Sequence, residues 1–444
     1  MRVGEGKLKV RFERMEKLFK LKEHNVSFKS EMIAALTSYF AAVYILIVNA
    51  SILSDANVKV QPLIIATVLS SFVGTMLVAF FSNAPLIVMP AMGLNALFTY
   101  TMVNTLGLTF HEALGSVFIS GILFLIMAVT PISKILMEGI PDSIKESITI
   151  GIGIFITFLG LQKSGLVVAN SSTLVGLGNL NSPNVLLFII VMIITLILFI
   201  KNIRGGFLIS IIAGTILAIF MGIVDVSTLT YSMPDFKEYN NIFFNMDFSA
   251  INNLSFWIST FSLTLVLVFE NIGILHAQVN VMLDKPEKSN KALKAIALST
   301  LGCSIFGSSP PVSVAEGTAG IADGGKTGLT AMICGILFLI SLFFIPFISI
   351  IPNEVLAPIL IILGCLMSQS LKNLNFHDLS EFLPSFLIIV LTPLTYSIVD
   401  GIGFGFIAYP LCKICVKKGN EVSIPMYIAS FAFLIYFIIS AFIH

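Results

Sequence analysis

PLIVMPAMGLNALF, residues 85–98, and GSSPPVSVAEGTAGIADGG, residues 307–325, are two stretches that cannot be continuous helices. The first carries Pro85, Pro90 and Gly93; the second carries Pro310, Pro311 and five glycines. Proline removes a backbone donor and glycine weakens the helix around it. Both stretches are nevertheless embedded among long apolar runs. Broken backbone at membrane depth is tolerated only where it lines a cavity or is buried in protein. Short extended stretches at about 88–92 and 311–315, each followed by a half-helix, satisfy that condition. Val88, Val312 and Val314 suit such strands.

The surrounding composition places these breaks in a bilayer. Of 444 residues 57% are apolar and 11% charged, with a mean hydropathy of +0.99. Ordinary soluble domains are roughly 45–50% apolar and about 25% charged. Too little charge is present to coat a soluble surface, which leaves a polytopic helical membrane protein. A span needs about 20 apolar residues. Runs of that kind cover 31–50, 62–81, 86–105, 110–130, 146–163, 184–201 and 205–224. After a polar stretch come 254–280, 292–307, 311–322, 328–349, 353–371, 384–416 and 422–443. The count is fourteen if 384–416 is one broken pass, and fifteen if Pro393 and Asp400-Gly401 split it.

Basic residues orient the chain. Nine of the 25 Lys and Arg lie in the first 30 residues. The basic amphipathic stretch 7–22 reads as a cytoplasmic surface segment. An inward N-terminus puts Lys134, Lys145, Lys201, Arg204, Lys285, Lys288, Lys291, Lys294, Lys326 and Lys372 on the same side. Lys59, Lys163 and Lys237 face out. Lys413, Lys417 and Lys418 join the inner group only if 384–416 is two helices. A net charge of +1 gives no reason to expect a nucleic-acid partner. Five scattered cysteines, including the Cys412/Cys415 pair one turn apart, point to neither a metal nor a redox site.

Self-comparison reveals a repeat. At an offset of 221, Pro90 falls on Pro311, Asn95 on Glu316 and Asn49 on Glu270, and Gly107-Leu108-Thr109 meets Gly328-Leu329-Thr330. GILFLI recurs at 121–126 and 335–340. The organisation expected is a 1–30 cytoplasmic N-terminus, a seven-span repeat at 31–226, an extracytoplasmic connector at 227–253 and a second repeat at 254–444. Seven is odd, so the second copy enters from the opposite face, an inverted repeat with its site near the midplane. The expected fold is all-α, with fourteen transmembrane segments and short strands breaking spans three and ten.

Deep polar residues mark the site. Glu270 sits in FSLTLVLVFENIGILHA, and Glu316 follows the break in the second interrupted stretch. A carboxylate at the bilayer centre costs at least about 2.5–3.5 kcal/mol, so it faces a cavity, a partner or a substrate. Asn95 opens the half-helix of the first break, and Asn49 and Asn271 flank the same region. Ser313 lies on the second strand, and Tyr44 has a ring suited to stacking on a planar ligand. His276, six residues past Glu270, reads as an interfacial histidine. No Ser-His-Asp, HExxH or P-loop pattern is present, so neither an enzyme nor an ATP-driven pump is indicated, and no cofactor is implied.

With these residues on the page, the chain resembles the nucleobase–ascorbate (xanthine/uracil permease) superfamily, in its AzgA-like hypoxanthine/guanine/adenine branch. The resemblance is carried by MEKLFKLKEHN at 15–25, AAVYILIVNASILSDA at 41–56 and MPAMGLNALFTYT at 89–101. Further carriers are EALGSVFISGILF at 112–124, GGKTGLTA at 324–331 and LTPLTYSIVDGIGFGFI at 391–407. It implies a core domain of spans 1–4 and 8–11, a gate domain of spans 5–7 and 12–14, and a base bound between the two short strands. It also implies proton-coupled uptake across the cell membrane, and it suggests a homodimer. The family's Phe-Asp-Thr-x-Gly-Thr reads here Phe269-Glu270-Asn271-Ile272-Gly273-Ile274, and its Thr-Ser-x-x-Glu-Ser reads Val312-Ser313-Val314-Ala315-Glu316-Gly317.

The expectation is therefore a secondary transporter that imports a purine base by proton symport with an elevator-like core movement. Glu270, Glu316, Asn95, Asn271, Ser313, Asn49 and Tyr44 are the candidate substrate ligands, and Glu316 and Glu270 the proton-coupling pair. A carboxylate accepts from purine N–H groups, strand N–H groups donate to ring acceptors, and a carboxyl in an apolar site can link proton uptake to loading. The alternative is a carrier of the same fold for another small solute or an anion, which helix N-termini would favour.

Overall fold

A computed structural model describes residues 15–225, 234–348 and 350–443. The 1–14 part of the basic N-terminus, the last residue of the first repeat (226) and 227–233 of the connector lie outside the described residues. Helices dominate. Among the described residues nine helices are long and apolar enough to cross a membrane, and three shorter apolar ones accompany them. With Ser289–Phe306 and the two interrupted segments, fifteen helical segments run through the bundle. That is one more than the expected fourteen.

The surplus comes from 384–416, which forms two helices instead of one broken pass. They are Leu379–Leu394 and Ile398–Cys415, packed antiparallel. Antiparallel packing is visible where a Cβ at Gly401 would meet Thr392 and one at Gly405 would meet Ile388. Pro393 weakens the end of the first helix and Tyr396 adopts a left-handed φ of 58°. Ser397 then caps the second helix by accepting from the Asp400 N–H at 3.2 Å. The last helix, Ile424–Ile443, packs back along Ile398–Cys415, with the Tyr436 hydroxyl 2.9 Å from Asp400 Oδ1.

The two breaks become strands. β1 (Val88–Pro90) is followed by α1 (Met92–Ala96), and between β1 and its partner strand lies an unforeseen exposed hairpin, β2 (Val167–Asn170) with β3 (Leu174–Leu177). The partner strand is β4 (Pro311–Ser313), which pairs antiparallel with β1. The register sets Val88 opposite Ser313, Met89 opposite Val312 and Pro90 opposite Pro311. Thr75 Oγ1 bonds both the N–H and the C=O of Val88, at 3.1 and 3.2 Å, and Ile87 O accepts the Val314 N–H at 2.9 Å. The extended backbone is thus paired without water.

Ion pairs and buried charges gather at the two ends of the bundle, apart from a few deeper acids such as Glu270 and Glu316. At one end Glu31, fully buried, accepts from the Lys326 and Thr330 N–H groups and from the Thr327 and Thr330 hydroxyls, at 2.7–3.1 Å. Arg204 pairs with Asp323 at 2.5 Å, and Lys288 Nζ donates to Asn83 O at 2.5 Å and to Lys326 O at 3.3 Å. At the other end Lys163 pairs with Asp55 at 2.7 Å, Tyr100 donates to the same carboxylate at 2.5 Å, and Lys59 pairs with Glu238. The loops grouped by their basic residues in sequence are the ones that meet in space.

Lys288 sits between two spans with its ammonium buried, and burial pushes it down to about 8 from the usual 10.5. Between those values the unfolded chain holds a proton that the folded chain has released, so this group's contribution to stability rises with pH across that window. Below about pH 8 the buried charge is a constant cost. We expect the stability of the native protein to gain about 1–2 kcal/mol on K288M between pH 8 and 9.5. Thermal unfolding in detergent across that range measures it, and parallel pH profiles would rule the shifted lysine out.

Candidate functional site

Glu270 projects from α2, the helix Leu254–Leu275. Val266, Phe269, Glu270, Gly273 and Ile274 recur at helical spacing, so one face of α2 walls a cavity of about 740 Å³. Glu316 enters the same cavity from the single turn Ala315–Gly317 that follows β4, so the strand's end fixes where the acid stands. Met92 and Gly93, at the start of α1, close the side beside Pro90. From the acids the cavity runs to Asp142, Lys145 and Glu146, at the start of the helix Asp142–Lys163, where the Asp142 carboxylate is exposed.

Of the seven sequence candidates, Glu270 and Glu316 line this cavity. Tyr44 stands behind Glu316: its hydroxyl donates to Glu316 Oε1, and its ring meets Phe207 edge-on at 5.0 Å. A fully buried ring in that position holds the acid and does not offer a face to a flat ligand. Asn271 turns away from the cavity, donating to Leu267 O at 3.0 Å and accepting the Ser313 N–H at 3.4 Å. Ser313 Oγ donates to Gln278 Oε1 at 2.5 Å, and Gln278 Nε2 donates to Val314 O at 2.8 Å. Asn271 and Gln278, on α2 and on the segment His276–Met282 that continues it, therefore brace β4 through Ser313 and Val314.

Asn49 and Asn95 lie in a second buried network. Ser309 Oγ is 2.6 Å from Asn95 Oδ1 and 3.1 Å from Asn49 Oδ1, and Asn49 Nδ2 donates to Thr67 Oγ1 at 2.8 Å. Neither asparagine belongs to the cavity wall. The offset partners thus divide, with acids on the cavity and amides in the packing around the strands. His276 is exposed and pairs its Nδ1 with Asn280 at 3.0 Å. Gln278, Ser309 and Thr67 were not anticipated. The paired serines ahead of Pro310-Pro311 carried a usable signal for Ser309, while Gln278 is an uncharged residue in an apolar run. Among the described residues no group of His, Cys, Asp and Glu is arranged to hold a metal ion.

A multi-pass helical bundle whose two broken segments meet at an acid-lined cavity has the build of a membrane transporter, not of an enzyme. The chain belongs to the permease family whose model, described as "Permease family", matches residues 29–403, and within that nucleobase–ascorbate family to the AzgA-like branch. It is 39% identical over 384 residues to the nucleobase transporter PlAzg2 of Paenibacillus larvae, covering 86% of this chain and 77% of the relative. It is 38% identical over 437 residues to the guanine/hypoxanthine permease PbuO of Bacillus subtilis, covering 96% and 100%. Among solved structures, the transmembrane domain of the cyanobacterial bicarbonate transporter BicA matches with a TM-score of 0.65 at 16% identity, over 85% of this chain and 98% of that one. At that identity the likeness concerns the fold.

The brace makes a stability forecast. Q278L leaves the Ser313 hydroxyl and the Val314 carbonyl buried without their partner, a loss of about 1–3 kcal/mol. Thermal unfolding in detergent should show a lower midpoint than wild type. An unchanged midpoint in Q278L would remove the brace from the account.

Proposed function

We propose that this permease is a secondary active transporter that imports a purine nucleobase of the hypoxanthine/guanine/adenine class by proton symport. The observation that carries the reading is the pair of carboxylates, Glu270 and Glu316, on one cavity beside the paired strands. The two acids keep different company. Glu316 is held by Tyr44, whereas Glu270 makes no hydrogen bond among the described residues and is the acid open to a ligand's N–H groups. The printed names of the relatives, a nucleobase transporter and a guanine/hypoxanthine permease, support the substrate class. Two carboxylates argue against an anionic substrate.

Proteoliposome uptake of labelled hypoxanthine tests this. Unlabelled purines should compete strongly and uracil only weakly, while sulfate and bicarbonate should not compete. An inside-alkaline gradient should drive uptake without sodium, and E270Q should lower it at least about a hundredfold while still folding. Competition by bicarbonate alone would transfer the chain to the anion reading. A strict sodium requirement without proton movement would refute the coupling.

In the same proposal the chain runs as two inverted repeats, with its N-terminus in the cytoplasm and the protein in the cell membrane. Pairing of β1 with β4 in antiparallel sense, with Pro90 opposite its own offset partner Pro311, supports the inversion. Residues 28–129 and 254–348 form the moving core, and 142–220 with 353–443 form the gate. Asp55 of the core and Lys163 of the gate touch at the end away from the Asp142 mouth. A cross-link between D55C and K163C should hold that end shut and stop transport. Full activity with the link formed would mean that the two groups do not separate there, and the elevator motion would have to be abandoned.

A further inference from the structure

Gly273 lies one turn beyond Glu270 on the cavity face of α2, three residues nearer the Asp142 mouth. Glycine inside a helix is a poor choice, since it weakens the helix and contributes no packing. Other helix glycines in the bundle have a packing reason. A Cβ at Gly153 would meet Gly364 O at 2.9 Å, one at Gly160 would meet Ala357 O at 2.9 Å, and one at Gly93 would meet Ile152 at 2.9 Å. At Gly273 a Cβ would meet nothing within 4 Å. Among the described glycines in helix interiors it is the one with that freedom. No neighbour forces glycine here; what glycine leaves is empty cavity directly against the backbone, beside the acid that is open to ligand.

We propose that Gly273 is the specificity-determining residue that sets how large a ring system can lie against Glu270, so that a bicyclic base fits and each added carbon at this position removes room for it. The proposal rests on the purine reading and goes beyond it by assigning the size limit to one position. A bicyclic base that uses its N–H edge on Glu270 is longer than a monocyclic one, and the cavity beside Glu270 continues along α2 past Gly273. Toward the mouth such a base passes over Gly273. A methyl group there narrows the space, and an isopropyl group closes it. A monocyclic ring occupies less of that length and is affected less.

The test measures KM and kcat for hypoxanthine, and competition by uracil as the smaller probe, in proteoliposomes of wild type, G273A and G273V. Thermal unfolding is recorded beside them. G273A is expected to fold with an unchanged or higher midpoint, because alanine is the better helix former and the space is empty. Its hypoxanthine KM should rise at least about tenfold with kcat largely kept, and G273V should lose hypoxanthine uptake. The ratio of uracil to hypoxanthine affinity should rise in both variants. Unchanged KM for hypoxanthine in a folded G273A overturns the proposal, as does an equal loss for both ring sizes. Absence of hypoxanthine uptake in the wild type sinks the purine reading instead, so the two failures are told apart. If G273V does not fold, G273A decides alone.

Discussion

Backbone pairing without water is the constraint from which the rest of this structure follows. Each of the two broken segments brings extended N–H and C=O groups to a depth where a bilayer supplies no partner. Neither segment can satisfy itself in three residues. They satisfy each other, through the antiparallel register that sets Val88 against Ser313 and Met89 against Val312. The closing pair, Pro90 and Pro311, brings two residues that have no N–H, so the ladder ends where no donor is left to place. Thr75 and Ile87 take up the flanking groups. This obligation forces the two halves of the chain together at one point, and the cavity lies where the strands give way to helix.

The same scarcity of water explains how polar side chains are spent. Two groups of amides and hydroxyls buried away from the cavity satisfy one another, Asn49, Asn95, Ser309 and Thr67 in one and Asn271, Ser313 and Gln278 in the other. Glu31, the fully buried acid near one end of the bundle, receives four donors. Beside Glu31 and Glu316, which are both bonded, Glu270 makes no hydrogen bond among the described residues and faces an open cavity, and a deep carboxylate of that kind is where a ligand is met.

Much of this was legible in the sequence because proline and glycine punctuate helices without help from tertiary structure. The breaks at 85–98 and 307–325 were visible for that reason, and strands over 88–90 and 311–313 fall inside the stretches expected. Glu270 and Glu316 were legible because a carboxylate in an apolar run needs an explanation. The split inside 384–416 was half legible: Pro393, Asp400-Gly401 and the Ser397-to-Asp400 capping pattern mark it, but prolines and glycines also interrupt single passes elsewhere in this chain, so one broken pass reads equally well. The surroundings of Asn49, Asn95 and Asn271 were less legible. Repeat offset gives a residue its depth along a helix and says nothing of the face it occupies, so adjacent Glu270 and Asn271 look alike in sequence and point to different surroundings. The β2–β3 hairpin escaped for a related reason, since four-residue strands in a polar connector carry little pattern.

The cavity's two walls come from helices that are joined in different ways. One wall holds α2 and the turn after β4; the other holds Ile148, Thr149 and Ile152 of the helix Asp142–Lys163, with Leu363 of the helix Asn353–Met367. Within that second group the backbones touch. A Cβ at Gly364 would fall 2.2 Å from Gly153 O, and one at Gly151 would fall 3.2 Å from Ile388 O. Backbone-to-backbone contact of this closeness allows almost no sliding, because a shift of one residue brings a Cβ into a carbonyl. Across the cavity the corresponding contact, Gly93 against Ile152, is backbone to flexible side chain. A displacement along the axis therefore meets stiff resistance inside the second wall and a softer contact where Gly93 meets Ile152 across the cavity, the same cavity that the ligand-facing acid lines.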